Sequence, residues 1–153
     1  MQKSEAWFAY WSPIFSCLAA QCISPCREIR HNAMASLQKL LLSVDTGSDE
    51  QWWLDVFDKV LFPLNLQLLE PAVIRLDLTG ICKSHVQVTT VICKVFLRYM
   101  DQLQHQHAKG LDKNEDVPSL WFRTLDAFEQ MAERGQGNVI VSISNWYITV
   151  MRY

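Results

Sequence analysis

Seven apolar residues in the middle of this chain leave little freedom in how it folds. Val88, Val91, Ile92, Val95, Phe96, Tyr99 and Leu103 stand at offsets of 3, 4, 7, 8, 11 and 15 from the first. That spacing lines one face of an α-helix and cannot line one face of a strand. The β-branched residues lower the intrinsic helix propensity, but the period decides, and it predicts a helix beginning near Ser84.

Similar stripes precede and follow it, separated by proline and glycine. Trp7, Trp11, Ile14, Leu18 and Cys22 form the first, with Pro13 either near a helix start behind Ser12 or kinking it. Ser24-Pro25 reads as an N-cap and first helical residue. The second stripe is Ile29, Ala33, Leu37, Leu40, Leu41 and Val44, with Arg27, Glu28, Arg30, His31, Asn32, Gln38 and Lys39 as its polar remainder. Asp45-Thr46-Gly47 ends it, and Ser48 to Gln51 reads as a capping box. The third stripe is Trp52, Trp53, Val56, Phe57, Val60 and Leu61. Pro63 is expected to break or bend this helix, with a short continuation over 64–69 before Pro71. Residues 71–83 read as a connector with a turn at Gly80, and His105 to Asp116 as a polar loop. Asp116-Val117-Pro118 starts a fifth helix, with Leu120, Trp121, Leu125, Phe128 and Ala132 inward and Gly135 and Gly137 at its end.

The last stretch differs in kind. Residues 139–150 are β-branched and partly alternating, a local strand preference with no sheet to join. The chain therefore divides into a helical segment, 1–136, and a β-prone or disordered tail, 137–153. A truncated or mis-spliced product would account for such a tail, with Met1 an internal start.

Composition excludes several function classes. At 153 residues the chain is the size of one domain, and its net charge of −2 lacks the basic field that non-specific nucleic-acid binding needs. Six Trp and seven Phe are too much apolar surface for a disordered chain. No apolar run approaches the roughly 20 residues of a membrane span, and the polar start at Met1 to Glu5 does not read as a signal peptide. Five scattered cysteines then suggest free thiols in a reducing, intracellular compartment.

Candidate chemistry is sparse. Cys17, Cys22 and Cys26 with His31 lack the paired knuckle of a zinc site, and Cys82 with His85 is an isolated pair. His105 and His107, two apart, would face away from each other on a helix. Glu115 and Asp116 suit a helix N-terminus better than acid–base work. No phosphate loop, nucleophile elbow or H-E-x-x-H is present, so no catalytic, cofactor-binding or metal residue is expected. Lys83, Lys94 and Arg98 give the fourth helix a basic flank that Asp101 dilutes. The adjacent pair Trp52 and Trp53 stays open between core packing and an exposed anchor for a partner or membrane surface.

Paired helices with a proline or glycine at each corner suggest an α-solenoid, and Arg27 to Ala33 with Leu37 resembles the second helix of a HEAT repeat. A longer pattern is more specific. Trp11-Ser12-Pro13-Ile14, Cys22, Arg27-Glu28-Ile29-Arg30 and Leu37 to Leu41 lead into Trp53 and Phe57-Asp58-Lys59-Val60-Leu61-Phe62-Pro63-Leu64. Val91 to Leu97 and Leu120-Trp121-Phe122-Arg123-Thr124-Leu125-Asp126 complete it. This order, from about Trp7 to about Glu133, resembles a late C-terminal helical segment, downstream of the Sec-seven domain, in the large Golgi Arf guanine-nucleotide exchange factors of the GBF/Gea/GNOM group.

The resemblance implies an all-α, HEAT-like stack of about five or six helices. It implies a non-catalytic regulatory or scaffolding role at the cytosolic face of the Golgi in vesicle trafficking. The expected partners are other domains of the parent exchange factor, with the Arf GTPase and the Golgi membrane met indirectly. Nothing here resembles the Sec-seven domain or its glutamate finger, so exchange chemistry attaches to no residue of this chain. A free-standing helical-repeat adaptor that holds a peptide or helix in a groove is the alternative. An unrecognised small enzyme has no residue cluster to support it.

Overall fold

The computed structural model describes residues 5, 7–44, 50–108, 117–135 and 138–152, and among them it contains helices and no strand. A π-helical turn, Trp7–Trp11, runs directly into α1, Ser12–Gln21, which pairs with α2, Arg27–Ser43. A second rod follows as α3, Glu50–Val56, a π-helical turn, Phe57–Leu61, and α4, Phe62–Leu68. Then come α5, Pro71–Leu76; α6, Ile81–His107; α7, Val117–Arg134; and α8, Val139–Val150. Helix α6 is the axis of the stack, packing against α2, α4, α7 and α8. Every residue of the stripe from Val88 to Leu103 is buried.

Both interior prolines are accommodated in the same way. Proline lacks an N–H and its ring crowds the carbonyl four residues back. For Pro13 and Pro63 those carbonyls belong to Ala9 and Lys59, each inside a π-turn. The wider turn takes up the mismatch, and the Phe62 N–H donates to Phe57 O, five residues back. The rod therefore continues past Pro63 to Leu68, the short continuation expected before Pro71. The extra residue in the first π-turn also shifts the inward face, so that Phe15 is buried and Ile14 exposed.

The corners depart from expectation as well. Helix α2 starts at Arg27 with Cys26 extended before it, and Ser24 Oγ accepts from the Cys26 N–H at 3.2 Å instead of capping the helix. The connector over 71–83 contains α5 and the first residues of α6. In α7 the inward line is Leu120, Thr124, Ala127, Phe128 and Met131, so that Ala132 faces out. The expected terminator Asp45-Thr46-Gly47, the capping serine Ser48, Glu115, Asp116 and Gly137 lie outside the described residues.

The strand expected over 139–150 is helix α8. Val139, Ile143, Trp146 and Val150 recur at intervals of four, three and four, and all face the stack. Trp146 meets Phe128 at 4.8 Å, Trp121 at 5.1 Å and Phe96 at 5.3 Å between ring centroids. Burying an indole among three aromatic rings contributes several kcal/mol, by the roughly 3–5 kcal/mol that truncating a buried tryptophan costs. The β-branched residues disfavour a helix by only tenths of a kcal/mol each, so tertiary packing overrides local preference.

Candidate functional site

Trp52 and Trp53 are adjacent, so on one helix their side chains diverge by about 100° and a single seam cannot hold both. The structure sets the two rings edge to face, 4.9 Å apart between centroids, with different neighbours beyond. Trp52 enters a cluster with Trp7, Trp11 and Phe15 at centroid distances of 5.9, 6.3 and 6.0 Å. Trp53 turns toward α6, 6.3 Å from the Tyr99 ring, and its indole N–H donates to Gln102 Oε1 at 2.6 Å. They are 6% and 1% exposed. Both indoles are therefore core residues in this fold.

The most built polar site is one the sequence reading passed over. Arg30, placed there on the solvated face of the second helix, is 1% exposed. Its Nε donates to Ser84 Oγ at 2.6 Å, one terminal nitrogen to the Ser24 carbonyl at 2.9 Å, and the other to Asp77 Oδ2 at 2.6 Å. Arg27 adds a fork to the same carboxylate, at 2.9 and 2.7 Å. The Gly80 N–H donates to Asp77 Oδ1 at 3.0 Å. Asp77 thus joins α2 to the turn between α5 and α6. The hydrogen bonds from Arg27, then Arg30, hold its carboxyl well below the usual carboxylate range against the desolvation that opposes them. A Cβ at Gly80 would overlap the Asp77 carboxylate and the Arg27 guanidinium, so any side chain here must displace that ion pair.

The remaining candidates are dispersed. Cys22 is buried, and burial pushes its thiol up to about 12, whereas Cys17 and Cys26 are exposed. Cys26 Sγ donates to Glu28. His85 is buried with its Nε2 2.8 Å from Leu68 O, at the end of α4, while Cys82 donates to Thr79 O. Among the described residues, no three His, Cys, Asp or Glu side chains converge as a metal site would need. The His105 ring bonds back to the Asp101 carbonyl; the side chain of His107 is outside the described set. Of the basic flank of α6, Arg98 reaches the Val44 carbonyl at 3.2 Å and closes the end of α2.

Among the described residues the surface carries, with others, two features of note. A cleft of about 170 Å³ lies between α4 and α7, lined by Phe62, Asn65, Leu66, Arg123, Asp126 and Gln130 among others. The Asn65 amide donates to Ala127 O at 3.3 Å, and Arg123 pairs with Asp58 at the rim. The second feature is the outer face of α8. Ile140, Val141, Tyr147, Ile148 and Met151 are all exposed there, and no charged residue occurs from Val139 to Met151.

Residues 11–144, which include every rod of the stack and the first half of α8, match the family described as GBF1-like, tetratrico peptide repeat region. The chain belongs to this family. Among curated relatives it is similar to a Caenorhabditis elegans protein described as Golgi-specific brefeldin A-resistance guanine nucleotide exchange factor 1 homolog. The two are 28% identical over 127 residues, which cover 81% of this chain and 6% of that protein. The chain thus spans about 6% of the length of that relative. No solved structure matches it.

The GBF1-like repeat is all-helical, as the sequence implied; the family description names tetratricopeptide repeats where the Arg30 motif resembled HEAT. Asn65, 1% exposed, had no signal at all, since the proline two residues before it obscured the helix phase. Among the described residues, no helix is long and apolar enough to cross a membrane.

Proposed function

We propose that this chain acts as a non-catalytic regulatory or scaffolding segment of an Arf guanine-nucleotide exchange factor in Golgi vesicle trafficking. The observation that carries the reading is the family match, which spans residues 11–144 and so the packed helices around α6. The relative's description as a Golgi-specific exchange factor supports the setting. In this role the chain meets other domains of its parent, and contacts the Arf GTPase and the Golgi membrane only through them. It works from the cytoplasmic side as a peripheral component. Nucleotide exchange on purified Arf, followed with a fluorescent GDP analogue, tests the reading directly. The 153-residue chain alone should leave the spontaneous rate unchanged, while removing the segment from the parent should alter exchange or membrane recruitment. Stimulation of Arf by the isolated chain would sink it.

The α4–α7 cleft, with Leu66 exposed at its edge and Phe122 exposed on α7, favours a second reading as a helical-repeat adaptor. Capture of a defined peptide that Leu66→Glu abolishes would favour it over the first.

A further inference from the structure

The cleft between α4 and α7 has its donors engaged and its acceptors unmet. Asn65 is 1% exposed, and its Nδ2 already donates to Ala127 O. Its Oδ1 is buried and meets no donor among the described residues, and the same holds for Gln130 Oε1. Gln130 Nε2 donates to Asp126 Oδ2 at 3.0 Å. The Arg123 guanidinium is held by Asp58 and by the Phe62 ring, 5.0 Å from its centroid. Buried acceptors in folded proteins are nearly always satisfied, so two unmet ones beside one cleft ask for a cause. A single water does not fill the space, which is about 170 Å³ against the roughly 30 Å³ one water occupies in the liquid.

We propose that this cleft receives the side chain of an arginine presented by a protein partner. The proposal deepens the adaptor reading and rests on it. Three features select the occupant. The unmet groups are all oxygens, so their complement is a donor and not an anion. Two carboxylates, Asp58 and Asp126, stand against the one cation Arg123, so the charge of the site favours a positive ligand. A guanidinium is planar, carries five N–H donors and no acceptor, and addresses several oxygens at once, whereas an ammonium acts as a point charge. Both amide oxygens lie below the surface, and one bond to Asp126 holds the Gln130 amide in place. An entering guanidinium takes the Asp126 carboxylate over from Gln130. The released amide then turns, and its oxygen and that of Asn65 accept from the ligand. That exchange replaces the bond from a neutral amide donor by one in which both partners are charged. Leu66, 49% exposed at the edge, seats an apolar residue beside the arginine.

The probe is N-acetyl-arginine amide, with N-acetyl-norleucine amide as an uncharged control of similar length. Each is titrated into the isotope-labelled 153-residue chain while the side-chain amide resonances of Asn65 and Gln130 are followed by NMR. The arginine compound should shift both resonances saturably, with a dissociation constant on the order of 1 mM for a ligand of this size. The norleucine compound should bind at least about tenfold more weakly. Asp126→Asn and Gln130→Met should each weaken the arginine compound about fivefold or more. Asp126 is exposed and Gln130 half-buried, so thermal unfolding of both variants should stay close to that of the parent chain. Should either variant fold poorly, the ratio of the two compounds on the unaltered chain still decides. Equal binding of norleucine would overturn the proposal and leave an apolar adaptor cleft standing. No shift with either compound up to about 20 mM would overturn it too, with the adaptor reading then judged separately by the Leu66→Glu capture. Arginine binding that both variants leave unchanged, or that shifts only resonances remote from the cleft, would also overturn it.

Discussion

Arg30 and Asp77 are 47 residues apart in sequence and 2.6 Å apart in the structure, with the guanidinium buried and every one of its nitrogens engaged. The pair fastens the second helix to the corner from which the central helix starts. Removing the Arg30 guanidinium takes the donor from Ser84 Oγ and the Ser24 carbonyl and leaves Asp77 with Arg27 and the Gly80 N–H, and each lost bond to a buried group carries a desolvation cost. Arg30→Met should lower stability by about 3 kcal/mol, seen as a midpoint drop of roughly 6–12 °C for a chain of this size. Arg30→Lys should recover only part of it, because one ammonium cannot span Ser84, Ser24 and Asp77 together.

The same site makes stability depend on pH. Asp77 has a depressed pKa in the folded state, so its contribution is fully present above the ordinary carboxylate value of about 3.9. It is lost as pH falls below that value toward the depressed one. The Asp77 contribution to the melting midpoint should therefore stay constant from pH 7 to about 5 and decline below about 4. Asp77→Asn should melt lower at neutral pH and show a shallower acid decline, as measured by circular dichroism at a series of pH values.

Gly80→Ala offers an inverted sign. At positions that tolerate a side chain, glycine to alanine stabilises by about 0.4–1 kcal/mol. Here the new methyl overlaps Asp77 and Arg27, and denaturant unfolding should show a loss of stability.

Helix α8 yields a test by position. In a strand, residues 146 and 148 share a face; in a helix they are about 200° apart. Trp146→Ala should cost roughly 3–5 kcal/mol, and Ile148→Ser, measured below the concentration of any self-association, should stay within about 0.5 kcal/mol. Equal effects at both positions would contradict the helix.

Thiol labelling separates the cysteines. Burial pushes both Cys22 and Cys93 up to about 12, so neither is accessible nor ionised at pH 8. Exposed Cys17 and Cys26 should react with a disulfide reagent within minutes, and Cys22 and Cys93 only on unfolding.

The helical class was legible because burial obeys the 3.6-residue period; all seven residues from Val88 to Leu103 lie inside. The same rule was present in the tail as Val139, Ile143, Trp146 and Val150, but the β-branched composition outweighed it in reading. Arg30 was illegible for a different reason. A charged residue reads as solvated until a partner is known, and Asp77 lies on another element. The seats of Trp52 and Trp53 depend on what flanks a helix on two sides, which no local spacing encodes. Nor does a proline announce whether a wider turn will absorb it.

That wider turn has a consequence for chain length. Deleting one residue from Phe57–Leu61 would restore ordinary pitch there and rotate everything beyond it by about 100°. Leu64 and Leu68, now buried, would swing out of the core, and Asn65 would leave the α4–α7 cleft. Residue number, more than residue identity, is therefore what this stretch cannot give up: a single-codon deletion would be read by every element downstream.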